Sequence, residues 1–172
     1  MIKTFLRALL KPFSFLPAIC MMCLIFSFSS QDGITSAGLS YQVSEIIVDC
    51  ANEAFEMNWS ETEVSLYIEK IHPYVRKLAH VTEYFLLAVS VSFPLYVYGV
   101  RGLWLPLLAG GFCVGFAALD EYHQSFVAGR GPSVRDVCID SIGILIGVLG
   151  VQFVCFVFRK TVFRPLAKKK RR

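Results

Sequence analysis

Three long apolar runs, 81–100, 102–119 and 137–158, constrain this chain more than any other feature. Each is about 18 to 22 residues long, and a helix needs about 20 residues, at about 1.5 Å each, to cross the hydrocarbon of a bilayer. The last two runs contain one acidic residue between them, Asp140, near an end. A fourth run, 13–29, is shorter, and Phe5, Leu6 and Leu9 extend it across Lys11 and Pro12. A signal peptide is the rival reading of this run, because Lys3, Arg7 and Lys11 precede it. No A-x-A-like cleavage site follows, Ser27-Phe28-Ser29 being the nearest small-residue pattern, so we expect a retained helix. Composition agrees with a membrane chain. Of the 172 residues 55% are hydrophobic and 17% charged, where soluble domains carry about 25%, and the mean hydropathy is +0.57. The 15 Phe, 7 Tyr and 2 Trp exclude a disordered chain. The length leaves no room for a separate enzymatic module.

The expected fold is all-α, a four-helix transmembrane bundle with short amphipathic helices on the extracytoplasmic side. The spans are about 10–29, 79–100, 102–120 and 136–158. Charge orients them. One side holds the N-terminus, the 99–102 turn and the C-terminus, with twelve of the seventeen basic residues and none of the thirteen acidic ones. The positive-inside bias then places both termini in the cytoplasm. The tail 159–172 is basic enough to suggest a nucleic-acid or import patch. Directly after a span, its simpler role is to attract anionic lipid and anchor topology, so no nucleic-acid partner is expected.

The six cysteines do not form a disulfide scaffold. Cys20 and Cys23 make a C-x-x-C inside an apolar run, with no His or charge nearby to lower a thiol pKa. Packing is the expected role for them and for Cys113 and Cys155. Cys50 and Cys138 lie on or near the outer side, where they could oxidise.

The extracytoplasmic segment 30–76 opens with a polar turn, Ser29-Ser30-Gln31-Asp32-Gly33. Val43, Ile46, Ile47, Cys50, Ala54 and Met57 then repeat at helical spacing opposite Glu45, Asp49, Asn52, Glu53 and Glu56. Ser60 and Glu63 form a capping-box pattern that opens a second short helix, with Val64, Tyr67, Ile68 and Ile71 on one side. Pro73 is expected to end or bend it. Both helices are expected to lie on the outer interface. The second outer loop, 120–136, carries a Gly-Arg-Gly-Pro turn that presents Arg130. Ser133 is the expected N-cap of the last helix, with Asp136 at its third position.

Helical geometry brings polar groups to one point. At about 100° per residue, Asp136, Asp140, Gly143, Gly147 and Gly150 fall within roughly 80°. Gly143 and Gly147 are a G-x-x-x-G close-packing pattern, so the two aspartates should face neighbouring helices. On the second span Lys77, His80, Glu83 and Tyr84 share one face of about 120°. On the third, Asp120 and Gln124 align with Ala117, Cys113 and Ala109, while Gly111 and Gly115 lie opposite and suggest packing on two sides. Five carboxylates (Glu83, Asp120, Glu121, Asp136, Asp140) and three cations (Lys77, Arg130, Arg135) thus gather near the outer boundary, with His80 and His123 beside them. Carboxylates at membrane depth need partners or protons. Three readings follow: a network that pins the bundle, a ligand or substrate site, or a metal site. His80, Glu83, Asp120 and Asp140 could ligate a metal, but no H-E-x-x-H or paired C-x-x-C spacing supports it. We expect no metal and no cofactor.

The run Arg76-Lys77-x-x-His80-x-x-Glu83-Tyr84, with Leu86 after it, resembles the VanZ-like membrane proteins. So do Asp120-Glu121-x-x-Gln124-x-Phe126 followed by Gly129-Arg130, Asp136-Val137 leading into a Gly-rich last helix, and Phe26-Ser27-Phe28-Ser29-Ser30-Gln31 at the end of the first span. The resemblance covers roughly 13–150, in the right order, within a single domain of 1–172. Two positions depart from the pattern: Asp140, where Asn is common, and Ala128, where Pro is common. The resemblance implies a multi-pass protein of the bacterial plasma membrane, linked to the cell envelope. The family's namesake is associated with low-level resistance to the glycopeptide teicoplanin. The resemblance implies no particular reaction.

Three function classes remain. In the first, an outer site binds an anionic group of an envelope lipid, a cell-wall precursor or a glycopeptide. Lys77, His80, Glu83, Tyr84, Asp120, Glu121, Gln124, Arg130, Asp136 and Asp140 would form it, with Arg130 as the bidentate clamp. In the second, a membrane-embedded enzyme uses His80 as general base and Glu83 or Asp120 as an acid of raised pKa. No nucleophile motif accompanies it. The third, a small transporter, lacks a charge near mid-depth. The expected partners are the lipid bilayer and, in the first class, a cell-wall precursor or glycopeptide ligand.

Overall fold

In the computed structural model, which describes residues 12–161, every regular element among those residues is helical. The extension of the first run over Phe5, Leu6 and Leu9, its flanking charges, and the basic tail past 161 lie outside the described residues.

A single 3-10 turn, Pro12–Phe15, leads into α1, Leu16–Ser29, with Pro17 in its first turn, where a missing N–H costs nothing. Ser30 closes α1 by donating its N–H and its hydroxyl to the Phe26 carbonyl (3.0 and 2.7 Å). Helix α2, Gly33–Ala54, starts where Asp32 accepts the Thr35 N–H at 2.8 Å. That bond and the Thr35 hydroxyl hold the Asp32 carboxyl below the usual range. Helix α3, Glu61–Val97, opens with the expected capping box: Ser60 and Glu63 exchange bonds through side chain and backbone.

The capped helix is not short. It runs for 37 residues, about 55 Å at about 1.5 Å per residue, and passes through Pro73. Proline removes one backbone donor and crowds the carbonyl four residues back, a local cost of about 3 kcal/mol. Here the hydrogen bonds on both sides and the packing of α2 along the polar half outweigh it, so the helix continues into the apolar run.

The apolar face of α2 turns away from the other helices. Ser44 and Val48 are the buried residues of α2, whereas Val43, Ile46 and Ile47 are 48%, 62% and 46% exposed. A row of small side chains, Ala37, Ser40 and Ser44, lets the two backbones approach, and the larger apolar groups turn outward. On α3, Ile68 is buried and Val64, Tyr67 and Ile71 are half-buried, on the side expected.

After a turn with Gly99 at φ 104 and Gly102 at φ 61, the third apolar run is interrupted. A π segment, Pro106–Gly110, precedes the 14-residue α4, Gly111–Gln124. Pro106 and the Gly110-Gly111 pair make this the weakest stretch for regular α-helical bonding. The last helix, α5, is Val134–Thr161, and its first turn is capped as expected by Ser133, whose Oγ accepts the Asp136 N–H at 3.2 Å. Among the described residues, three helices are long and apolar enough to cross a membrane: Pro12–Ser29, Glu61–Val97 and Val134–Arg159. The run at 102–120 does not form one uninterrupted α-helix.

The core lies where α3 and α5 cross. Tyr84, Leu87, Ala88 and Val91 meet Ile144 and Val148, and Cys113, Ala117, Ala109 and Ile25 close it from α4, the π segment and α1. A Cβ on Gly143 would stand 2.2 Å from the Val81 carbonyl oxygen, and one on Gly147 would stand 2.8 Å from that of Phe85. Only glycine permits this approach. Gly111 and Gly115 meet nothing within 4 Å, so this side of α4 packs against no described residue, contrary to expectation, and Gly150 on α5 is equally open, unlike Gly143 and Gly147. Cys113 is buried and Cys155 half-buried, but Cys20 and Cys23 are exposed, so the C-x-x-C does not pack the interior. Leu103, Trp104, Leu107, Leu119, Ile142, Ile146 and Phe153 are all more than half exposed. Such an apolar exterior suits hydrocarbon rather than water.

Opposite ends of the molecule are well defined. At one, the Ser14 hydroxyl meets that of Tyr98 and Phe15 lies 6.1 Å from the Tyr98 ring, which sets the start of α1 beside the end of α3. At the other, the α1–α2 joint meets the loop before α5: the Gly33 N–H donates to the Ala128 carbonyl at 3.1 Å.

Candidate functional site

Continuity of α3 through Pro73 sets His72, Arg76 and His80 one turn apart on a single face. That face forms one wall of a cavity of about 370 Å³. Lys77 stands beside it. Glu121 and Gln124 at the end of α4, the Gly129-Arg130-Gly131 turn, and Asp136, Ile139 and Asp140 on α5 complete the lining. Seven of the ten expected residues are therefore brought together on this wall: Lys77, His80, Glu121, Gln124, Arg130, Asp136 and Asp140.

Tyr84 and Asp120 are not on the wall. Both are buried, 1% and 4% exposed, and are bonded to each other: the Tyr84 hydroxyl donates to Asp120 Oδ2 at 3.1 Å, and Gln124 Nε2 donates to the same oxygen at 3.0 Å. Asp120 Oδ1 has no partner. Through Gln124 this network braces the cavity without lining it. Glu83 lies 3.4 Å from His80 Nδ1 and faces an adjoining cavity that His80 also lines.

Arg130 owes its position to the backbone around it. Gly129, at φ 75, turns the chain, and the Arg130 N–H donates to the Val127 carbonyl at 3.2 Å. The loop rests directly on the α1–α2 joint, where a Cβ on Gly33 would come within 2.7 Å of the Gly129 oxygen. Arg130 Nη1 donates to the Ser29 carbonyl at 3.3 Å. Its Nε and Nη2 are shielded from solvent and have no hydrogen-bond partner. No carboxylate of the described residues lies within ion-pair distance of it. Burial and the nearby Arg76 charge both pull the guanidinium pKa down, while Asp120, Glu121 and Asp32 pull it up.

Glu121 anchors the same loop from the other side, accepting the Ser133 N–H on Oε1 at 2.7 Å. It is 7% exposed. Burial raises its pKa, as do Asp136 and Asp120, whereas the Ser133 N–H lowers it.

Two cavity residues escaped the sequence expectation, His72 and Arg76, and one expected cation does not belong. His72 Nε2 is 3.1 Å from the Ala37 carbonyl and 3.2 Å from Ser40 Oγ, which ties α3 to α2. The signal for both was the four-residue spacing 72, 76, 80, which a helix end at Pro73 conceals. Arg135 is exposed and off the wall. The lining thus has three cations (Arg76, Lys77, Arg130) and three carboxylates (Glu121, Asp136, Asp140), plus two histidines, rather than the acidic excess expected. His123 stacks on Phe26 at 4.4 Å, also off the wall. Among the described residues, no three His, Cys, Asp or Glu side chains are grouped to hold a metal ion.

A family model described as VanZ/LLP1 matches residues 14–158. No curated protein and no solved structure matches the chain.

Proposed function

The chain belongs to the VanZ/LLP1 family, and on that premise we propose that it is a multi-pass protein of the bacterial plasma membrane whose outer cavity binds an anionic group. The group is a phosphate or carboxylate of an envelope lipid, a lipid-linked cell-wall precursor or a glycopeptide such as teicoplanin. The observation that carries this reading is Arg130. A guanidinium shielded from water with two unpartnered nitrogens is costly, and an oxyanion accepting both N–H groups removes the cost. Arg76 and Lys77 on the same cavity add charge.

Residues 104–120 are helical without a break despite the π turn, which supports a fourth span over about 102–120. The bias of twelve basic residues to one end supports both termini in the cytoplasm, and hence the cavity outside. The outward apolar face of α2 suits a helix lying on the outer leaflet.

The test is a titration of the purified protein, in discs of zwitterionic lipid, with phosphate-headed and neutral ligands of equal chain length. The reading expects preference for the phosphate, weakened by salt and by Arg130→Gln. Equal affinity for both ligands contradicts it.

A membrane-embedded acid/base enzyme is the second reading. It draws on the His80–Glu83 pair at 3.4 Å and the buried Asp140 on the same wall as His80. Turnover of a lipid-linked substrate that is lost in His80→Asn as fully as in His80→Ala would favour it, since asparagine keeps a hydrogen bond and not the proton exchange.

A further inference from the structure

The polar cavity has a neighbour. A second cavity, of about 270 Å³, lies between the end of α1, α2 and α3, and Arg76 and His80 line both. Its remaining wall is largely apolar: Phe28 from α1, Leu39 and Val43 from α2, Val75 and Ala79 from α3. Its polar residues are Gln31, Ser36, Ser40 and Glu83, besides Arg76 and His80, and Glu83 Oε2 is buried without a hydrogen bond. The Ser40 hydroxyl donates to the Ser36 and Ala37 carbonyls and touches His72, and Glu83 faces His80. Leu39 and Val43 are 46% and 48% exposed. A water-soluble anion in the first cavity would leave this apolar wall uncovered, whereas a hydrocarbon chain attached to the anion would bury it.

We propose that the ligand is an amphiphile. Its anionic head lies between Arg130 and Arg76, and one hydrocarbon chain passes Arg76 and His80 into the second cavity against Leu39, Val43 and Ala79. This rests on the anion-binding reading above and adds the chemical class of the ligand. Arg76 and His80 stand at the junction, the position that reads the joint between head and tail.

The experiment compares dodecyl phosphate with ethyl phosphate on the full-length protein in discs of zwitterionic lipid, with dodecanol as the headless control. Ala79→Phe and Val43→Phe fill the apolar cavity from opposite walls without touching Arg130. Comparing each variant with wild type cancels the partition of the long chain into the bilayer. The expected result is that both variants cut the dodecyl advantage by at least about tenfold, the loss of roughly two methylene contacts, while ethyl phosphate affinity is unchanged. Thermal melts identify any variant that fails to fold, and the other then decides. If ethyl phosphate binds and filling the cavity leaves the dodecyl advantage intact, the amphiphile is overturned and the anion site stands. If neither phosphate binds better than dodecanol, both readings fall.

Discussion

The Tyr84 hydroxyl donates to Asp120 Oδ2 over 3.1 Å in the interior of the helix bundle, and this one bond joins α3 to α4 beside the cavity. Gln124 supplies the only other donor to that oxygen among the described residues. Removing the hydroxyl leaves a buried carboxylate under-solvated, which costs about 1–3 kcal/mol. Tyr84→Phe should therefore lower the thermal midpoint of the detergent-solubilised protein while leaving phosphate affinity within about twofold, because Tyr84 does not line the cavity. A melt unchanged from wild type would show that the bond contributes nothing.

The close crossing of α3 and α5 makes an unequal prediction for glycines. A Cβ on Gly143 would lie 2.2 Å from the Val81 oxygen, a backbone atom with no room to yield, whereas Gly111 meets nothing within 4 Å. Gly143→Ala should destabilise by about 1–3 kcal/mol or more, through overpacking. Gly111→Ala should be neutral or stabilising by about 0.5–1 kcal/mol, since alanine restricts the unfolded chain. Melting temperatures of the two variants, side by side, check both.

Gly33 acts on the site at a distance. Its added Cβ would approach the Gly129 oxygen to 2.7 Å and push away the loop that carries Arg130. Gly33→Ala is expected to weaken anion binding about tenfold, by misplacing the guanidinium, with a smaller effect on the melt. Titration with ethyl phosphate measures it, and unchanged affinity would mean that the loop tolerates the shift.

Glu121 sets a pH dependence. Its native pKa is raised above the ordinary glutamate value of about 4.5, burial being the main cause. Between 4.5 and the raised value the native state therefore holds a proton that the unfolded chain has lost, and stability falls as pH rises through that interval. Above it the penalty for a buried charge is complete. Glu121→Gln keeps an acceptor for the Ser133 N–H and removes the charge. Its melting temperature relative to wild type should rise with pH above 4.5 and then level off. A constant difference across that range would show that Glu121 titrates normally.

Much of this architecture was legible where the signal is local. Ser60 and Glu63, Ser133 and Asp136, and the Asp120–Ala117–Cys113–Ala109 face of the third run are recognised by spacing alone, because a cap or a helix face depends on neighbours within two turns. Gly143 and Gly147 were legible for the same reason. What was not legible depends on what covers a face. Periodicity locates the apolar stripe of α2, but the row that meets α3, Ala37, Ser40 and Ser44, is small and partly polar and leaves no apolar period to read. Pro73 reads as a stop, and only tertiary packing keeps the helix continuous, so His72 and Arg76 were separated in expectation from His80. Arg135 sits in the right segment, but the first turn of α5 carries it outward while Asp136 points in. The switch to π geometry at Pro106–Gly110 depends on a balance of backbone bonding that no periodic pattern records.

The account rests on Arg130 as the group that holds an anion, and the dissociation constant of ethyl phosphate for wild type, Arg130→Lys and Arg130→Gln tests that most directly. The guanidinium offers a planar fork, lysine keeps only the charge, and glutamine keeps neither. Affinity should fall in that order, with the glutamine variant at least about tenfold weaker than wild type, the scale of one lost charge-assisted bond. Three equal constants, with all three proteins folded, would contradict the account.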